Sequence, residues 1–545
     1  MAPKTTIFAA PPDKDAAGPA GPLVNNNTAR NWWQDAGLRR LNAHCLVLLL
    51  GSFVCGFDGS IMNGFFGIAS FLEDTDNPDP NKQGLLTAAI SLGYLIGFVP
   101  SSWAADRFGR RLPQLFGAIV IVAAVFMQVF ALGGWNFFGA RLLLGFGAAF
   151  PLTAGSAHLF ELAHPRQAAE MATLFAAFYW VGAIVAAWST FGCTYMSSNW
   201  AWRLPALLQG LASLIQAIFL WWVPESPRWL CAQGRTEEAH AILAKYHAGG
   251  DYEDELVLSE LAEIRTALEI EKTSAFGYLD FFKTPANRYR LFLCVFIGFS
   301  TQMLGNTIVS YYLVPILTSV GYTSVPQQQG INGGHVPAHS PTRLLPRFRL
   351  IPCSPLSSHS LQIMNLVVSL VAVVYCQKLS RRFMWLFSTI GVLVTYSMLT
   401  AASAVYAKNE STAAGQAAVA MIFLYSAVYD VAWSIMYYSY TLEILPFHMR
   451  TKGMAISLVV DYAALFFAQY ANPPAFNAIG WKYYCVYIAY IAIVAVIVYL
   501  YFPETAGLTL EQSAILLDGD TAQAKIDEAV KHATATAKKD DEIEV

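Results

Sequence analysis

Long apolar runs separated by short polar stretches dominate this chain. They fall near residues 45–68, 84–104, 113–134, 137–158, 170–191 and 205–223, and again near 290–318, 361–377, 384–405, 417–440, 454–472 and 483–502. Each has about the 20 residues that an α-helix needs to cross the hydrocarbon core of a bilayer. In that core only helices and closed barrels satisfy every backbone polar group. The pattern predicts an all-α membrane protein of about twelve transmembrane helices. An even number places both termini on one side. Arg39 and Arg40 stand directly before the first run, which makes that side the cytosol.

Between the two sets lies a charged interval, Glu225 to Arg290. Within it Val257, Leu261, Ile264 and Leu268 recur at helical spacing, which predicts an amphipathic helix lying against the cytosolic face of the bundle. The chain then divides into a cytosolic tail (1–43), a six-helix bundle (44–223), an intracellular helical linker (224–289), a second six-helix bundle (290–502) and a cytosolic tail (503–545).

Composition agrees. Only 13% of the residues are charged and 55% are hydrophobic, against roughly 25% charged in soluble proteins. A net charge of −3 argues against nucleic acid as a partner. The eight cysteines show no metal-ligand spacing, and no span carries paired catalytic groups. Neither an enzyme nor a cofactor is expected.

The two halves repeat. DRFGRR begins at Asp106 and its looser copy QKLSRR at Gln377. ELAHPR begins at Glu161 and EILPFHMR at Glu443, and PESPR at Pro224 is matched by PETAG at Pro503. The offsets are 377 − 106 = 271, 443 − 161 = 282 and 503 − 224 = 279. Three similar offsets in the same order mark a duplicated six-span unit, and paired halves with a site between them are a transporter architecture. Asp106, Arg107, Gly109 and Arg110 form a short turn in which glycine permits the tight backbone and the arginines can grip carboxylates. Glu161, Glu225, Glu443 and Glu504, with Arg166, Arg228 and Arg450, stand at other span ends on the same side. Such a set can latch the two halves together on that face and release them.

DRFGRR, ELAHPR, WRLP (Trp202 to Pro205), PESPRWL and PETAGLTLE together resemble the sugar porter family of the major facilitator superfamily. GFDGSIMNG in the first span and TLEILPF in the tenth resemble its fungal lactose permease-like and hexose transporter branch. The resemblance covers residues from about 44 to 515. It implies the major facilitator fold, a sugar (hexose or disaccharide) as small-molecule partner, uptake by alternating access in the plasma membrane, and a monomer. Proton symport, facilitated passage of a sugar or polyol, and a non-transporting nutrient sensor are the alternatives it leaves.

Ionisable residues inside spans are costly and point to function. Asp58 is the sole acid of the first span, and Arg141 the sole charge between Arg111 and Glu161. The resemblance makes them the proton-coupling pair. A carboxylate in a low-dielectric site favours its protonated form and a nearby guanidinium favours the anion, so separating the two would admit a proton. The same residues could instead be a static pair that orients two helices. For the substrate, the resemblance assigns Gln302 and Thr307 in TQMLGNTIVSYY, Asn365 in the eighth span, Tyr438 in the tenth and Asp461 in the eleventh. Asp461 could also titrate or select a cation, and Asp430 has no counterpart in the motif.

His335 to Ser360, rich in Pro, Ser, His and Arg, interrupts sequence that would join smoothly without it. Its 360 − 335 + 1 = 26 residues read as an insertion, from an unspliced intron or as a genuine outer loop. Asn409-Glu-Ser411 is a glycosylation sequon on the expected outer side. Asn26-Asn-Thr28 lies on the cytosolic side and is expected to stay unused.

Overall fold

The computed structural model describes residues 26–28, 31–273, 277–333, 361–376 and 379–506. The suspected insertion and the last part of the C-terminal tail therefore lie outside the described residues. The first six spans are Ala36–Phe65, Pro80–Phe108, Arg111–Val129, Gly134–Leu162, Ala168–Cys193 and Trp200–Phe219. The seventh is broken into Pro285–Met303, Asn306–Tyr311 and Leu313–Ser319. The eighth and ninth are Leu361–Cys376 and Arg381–Asn409. The tenth runs Thr412–Tyr429, through a π-helical turn Asp430–Ser434, to Met436–Glu443; Phe447–Ile479 and Tyr484–Tyr501 complete the set. By length and apolarity alone, 8 helical stretches qualify as membrane-crossing, one of them, Lys452–Tyr501, holding the last two helices together.

Local chemistry sets several starts. Asp79, Ser226 and Thr284 each accept a backbone N–H of the first turn through the side chain, and each is followed by a proline at the first helical position. That combination satisfies an orphan donor and presets φ for the helix. Small residues let spans approach closely. A Cβ on Gly145 would stand 2.0 Å from the Ile90 carbonyl oxygen of the second span, the kind of seam on which helices associate in lipid.

At the far end of the first half the Asp74 carboxylate accepts from the Asn199 amide, the Trp202 indole N–H at 3.0 Å and Arg203 at 3.1 Å. The WRLP motif is thereby pinned to the loop after the first span. At the opposite end, helices Pro227–Ala232, Thr236–His247 and Glu255–Thr273 form the linker. Val257 and Leu261 are buried against Leu230, Ala239, Leu243 and Ala244. The amphipathic face thus corrects one expectation: it packs on the linker's own helices, not on the bundle. The linker in turn reaches the bundle through Tyr246, whose ring meets His44 of the first span edge-on at 5.7 Å. Asn26 donates to the His247 carbonyl at 3.0 Å and Thr28 bonds Asn26, so that sequon is held against the linker.

The two halves meet mainly at the end opposite the linker. Asn63 donates to the Ser310 carbonyl and accepts from the Leu313 N–H at 3.1 Å. Gln329 donates to the Gly64 carbonyl at 2.8 Å. Ser91 bonds Gln469, and Tyr312 donates to the Gln469 carbonyl at 2.6 Å. Tyr94 and Phe98 close on Tyr462 with ring centroids 4.8 and 4.9 Å away. The contacts thus run from that end to the middle of the spans.

Candidate functional site

Two sites emerge: a polar centre between the halves and a charged network at the linker end.

Asp58 is fully buried, and one of its oxygens accepts from Gln209 of the sixth span. Gln209 accepts in turn from Gln128 of the third span at 3.4 Å. The other Asp58 oxygen has no hydrogen-bond partner. Arg141, also fully buried, is close enough to interact electrostatically with Asp58 but makes no ion pair with it, and none of its nitrogens is hydrogen-bonded. The structure therefore places the pair together without joining it, and inserts an amide between the acid and the rest of the half. Gln209 and Gln128 were missed in the sequence. Lone amides in apolar spans are the available signal, but they equally serve as glue between helices.

Across the interface the seventh span breaks at Gly305. Its φ of +93° is one that side chains rarely adopt, and a Cβ there would come within 2.5 Å of the Tyr396 ring. Tyr425 and Tyr429 of the tenth span brace the break by donating to the Leu304 carbonyl at 3.1 Å and the Thr301 carbonyl at 2.7 Å. Directly beside it Gln302 donates to Asp461 at 2.9 Å, and Thr307 donates to the Gln302 carbonyl at 3.2 Å. The structure thus brings Gln302, Thr307 and Asp461 into one cluster. Asn365 stands apart from that cluster: with its amide turned to suit its partners, it donates to Asp430 at 3.3 Å. That contact gives Asp430 a place it lacked in the sequence. Its π-helical turn is a feature that recurs at functional positions.

Tyr438 stays 49% exposed although it lies within a span, with Asp461 and Cys55 of the first span as electrostatic neighbours. It lines an opening between the halves. Tyr179 and Tyr311 bring their hydroxyls over Gly59, 3.1 and 3.6 Å from where its Cβ would stand. The central walls are therefore tyrosines from both halves, with amides and carboxylates between them.

At the linker end, Arg110 grips Glu161 through Nε at 3.1 Å and Nη2 at 3.2 Å, and reaches the exposed Asp106 at 3.2 Å. Burial alone would favour a neutral Arg110; the two carboxylates reverse this and hold its proton more firmly than usual. Glu225 accepts from the backbone N–H groups of Arg110 at 2.8 Å and Arg111 at 3.3 Å. Ser226 donates to Glu161 at 2.6 Å. Gly109 has φ +91°, and a Cβ on it would meet the Glu225 carboxylate at 2.5 Å, so glycine is required twice over.

The second half repeats this network. Arg381 grips Glu443 through Nη2 at 3.0 Å, Glu504 accepts from the N–H groups of Arg381 at 2.9 Å and Arg382 at 3.2 Å, and Thr505 bonds Glu443 at 2.5 Å. Ser380, standing where the first half has glycine, also bonds Glu504. Arg381 was missed although it matches Arg110 at the repeat offset. Other expected members have these places. Arg107 is exposed, Arg166 reaches Thr28 at 3.5 Å, and Arg450 donates to the Leu445 carbonyl at 3.1 Å. Arg228 lies in the short helix that opens the linker. The Arg110–Glu161 and Arg381–Glu443 pairs each stay within one half.

Comparison with known proteins matches this arrangement. Among solved structures, the inward-open conformation of the xylose transporter XylE from E. coli superposes with a TM-score of 0.68 at 19% identity, covering 87% of this chain and 99% of that one. The proton:xylose symporter XylE bound to 6-bromo-6-deoxy-D-glucose gives the same TM-score of 0.68, covering 88% and 99%. In sequence the chain is 27% identical over 489 residues to the high-affinity glucose transporter of Kluyveromyces lactis, covering 86% of this chain and 83% of the relative. It is 27% identical over 484 residues to high-affinity glucose transporter 1 of Candida albicans, with 86% and 84% covered. The profile of the family described as sugar (and other) transporter matches residues 44–336 and 354–517, most of the chain. The protein is a multi-pass membrane protein of the major facilitator fold, and it belongs to the sugar (and other) transporter family.

Proposed function

We propose that this protein is a proton-coupled sugar uptake carrier of the plasma membrane that works by alternating access, with both termini and the linker in the cytosol. The observation that carries the proposal is Asp58: a carboxylate fully buried in the first span, one oxygen held by Gln209 and the other free, with the unpaired Arg141 nearby. An acid in that setting has room to exchange a proton for a change in its neighbours. The substrate binds between the halves, where Gln302 and Asp461 offer donor and acceptor to sugar hydroxyls and Tyr438 offers a face for the C–H surface. The separate Arg110 and Arg381 networks, each within one half, support reading this as the state open to the cytosol. In the opposite state the linker-end arginines and glutamates, including those of the second network, approach across the halves.

The test is uptake of labelled glucose and xylose by the purified full-length protein in proteoliposomes. An imposed pH gradient, acid outside, should drive accumulation above the external concentration, and a protonophore should abolish it. Uptake that only equilibrates under the gradient would leave facilitated transport instead.

We also propose that 335–360 is not a native part of the carrier. The family match itself pauses between 336 and 354, inside that stretch. Sequencing the mature messenger should find those codons absent; their presence in a message that yields active protein would make the segment a real loop.

A further inference from the structure

Among the described residues the spans contain three buried acids, and their buried cations are Arg141 and, near the start of the seventh span, Arg290. Asp58, Asp430 and Asp461 are at most 8% exposed, as is Arg141. Arg141 serves the first half beside Asp58. The described arginines and lysines of the second half stand toward the ends of its spans, the buried Arg290 near the start of the seventh among them. Asp430 and Asp461 are held by amides, from Asn365 at 3.3 Å and Gln302 at 2.9 Å, and neither makes an ion pair among the described residues. Asp461 is an electrostatic neighbour of the partly exposed Tyr438. Tyr179, from the first half, interacts electrostatically with Asp430, and Tyr311, Tyr438 and Tyr462 with Asp461.

Uncompensated carboxylates in a membrane interior are expensive. Such a group favours its protonated form, and an approaching cation shifts it toward the anion, so a cationic solute gains a charged partner there that a neutral solute does not induce. Aromatic faces add to this, since a ring quadrupole attracts a cation within about 6 Å of its centroid. Amides and tyrosine hydroxyls in the same walls supply partners for substrate hydroxyls. A hydroxylated solute carrying a protonated amine would meet each of these groups with its complement, whereas uronates and sugar phosphates would meet like charge.

Building on the sugar-carrier reading, we infer that the second-half pair Asp461–Gln302 and Asp430–Asn365 selects a hydroxylated organic cation, of which a protonated amino sugar is the simplest. Asp461 would take the ammonium by a charge-assisted hydrogen bond, and Asp430 would add to the field from the π-helical turn.

The experiment is competition for uptake in proteoliposomes of the full-length protein, at neutral pH, with D-glucose, D-glucosamine and N-acetyl-D-glucosamine. Glucosamine should half-saturate at least about tenfold below both neutral sugars, the scale of one charged hydrogen bond. In Asp461→Asn and in Asp430→Asn the ratio of glucosamine to glucose half-saturation should move at least about fivefold toward the neutral sugar; a ratio taken within one variant is independent of how much protein folds. If glucose is taken up and glucosamine competes no better than its N-acetyl form, the cation inference fails and the carrier reading stands. A preference that survives both substitutions also overturns it. If no sugar is taken up at all, both readings fall together. Should either variant not fold, the wild-type comparison of amine with N-acetyl amide decides alone.

Discussion

Replacing Asp58 with Asn is expected to abolish accumulation while leaving equilibrative passage of sugar. An asparagine is close in shape to a protonated aspartic acid, so the bond to Gln209 survives with the amide reoriented. What disappears is the ability to change charge. The expected effect is large because the driving force is large. A gradient of one pH unit supplies about 1.4 kcal/mol per proton, and a potential of 100 mV adds about 2.3 kcal/mol per charge. A one-to-one symporter under both could concentrate substrate several hundred-fold, and the variant should reach a ratio near one. Counterflow measured without a gradient should persist within about tenfold of wild type, which shows the carrier is folded and still binds sugar. If Asp58→Asn still accumulates sugar, and does so only while the pH gradient lasts, the proton enters elsewhere, with Asp430 and Asp461 the other buried acids of the described spans.

The Arg141 geometry sharpens that reading. In this structure the guanidinium makes no hydrogen bond and no ion pair with Asp58. Alternating access requires two arrangements of the halves, and a buried arginine without a partner costs too much to persist in both. We propose that it engages Asp58 directly in the other state.

The sequence made some features legible and hid others, for physical reasons. Spans were readable because a bilayer leaves no alternative to long apolar helices. The duplicated motifs were readable because they sit at chain reversals, where few residues fit: Gly109 tolerates no Cβ, and Glu225 must cap two backbone N–H groups. The break at Gly305 and the π-helical turn at Asp430 were not legible in the apolar pattern, since neither interrupts it long enough to end a span. Gln209 escaped notice because an amide in a span is ordinary until its partner is known. The linker helix misled for a different reason: its apolar face was real, but periodicity does not say which surface covers it. Which end of the bundle is sealed is a property of a state, and one sequence encodes both states.

The second large effect is expected at Arg381. Its neighbourhood is the looser copy of DRFGRR, lacking the aspartate and the glycine, yet the bond pattern repeats that of Arg110 nearly atom for atom. Ser380 replaces the glycine and turns its hydroxyl to Glu504, and Thr505 does for Glu443 what Ser226 does for Glu161. The Arg381 and Glu443 side chains are only 17% and 15% exposed. Arg381→Ala leaves Glu443 largely buried without its guanidinium, which should cost roughly 3 kcal/mol, the low end for breaking a buried pair. Thermal unfolding in detergent should shift down by several degrees, and uptake should fall at least about tenfold. Arg381→Lys should recover only part of this, because an ammonium cannot make the two-pronged contact. Adding Glu443→Ala to Arg381→Ala should restore stability, since the orphaned charge is gone, but not transport, since the linker-end contacts of the other state would still be missing. An Arg381→Ala protein that unfolds and transports like wild type would show that the second-half network is ornamental. Equal losses from Arg381→Ala and Arg110→Ala would show that both copies of the repeat bear the gate.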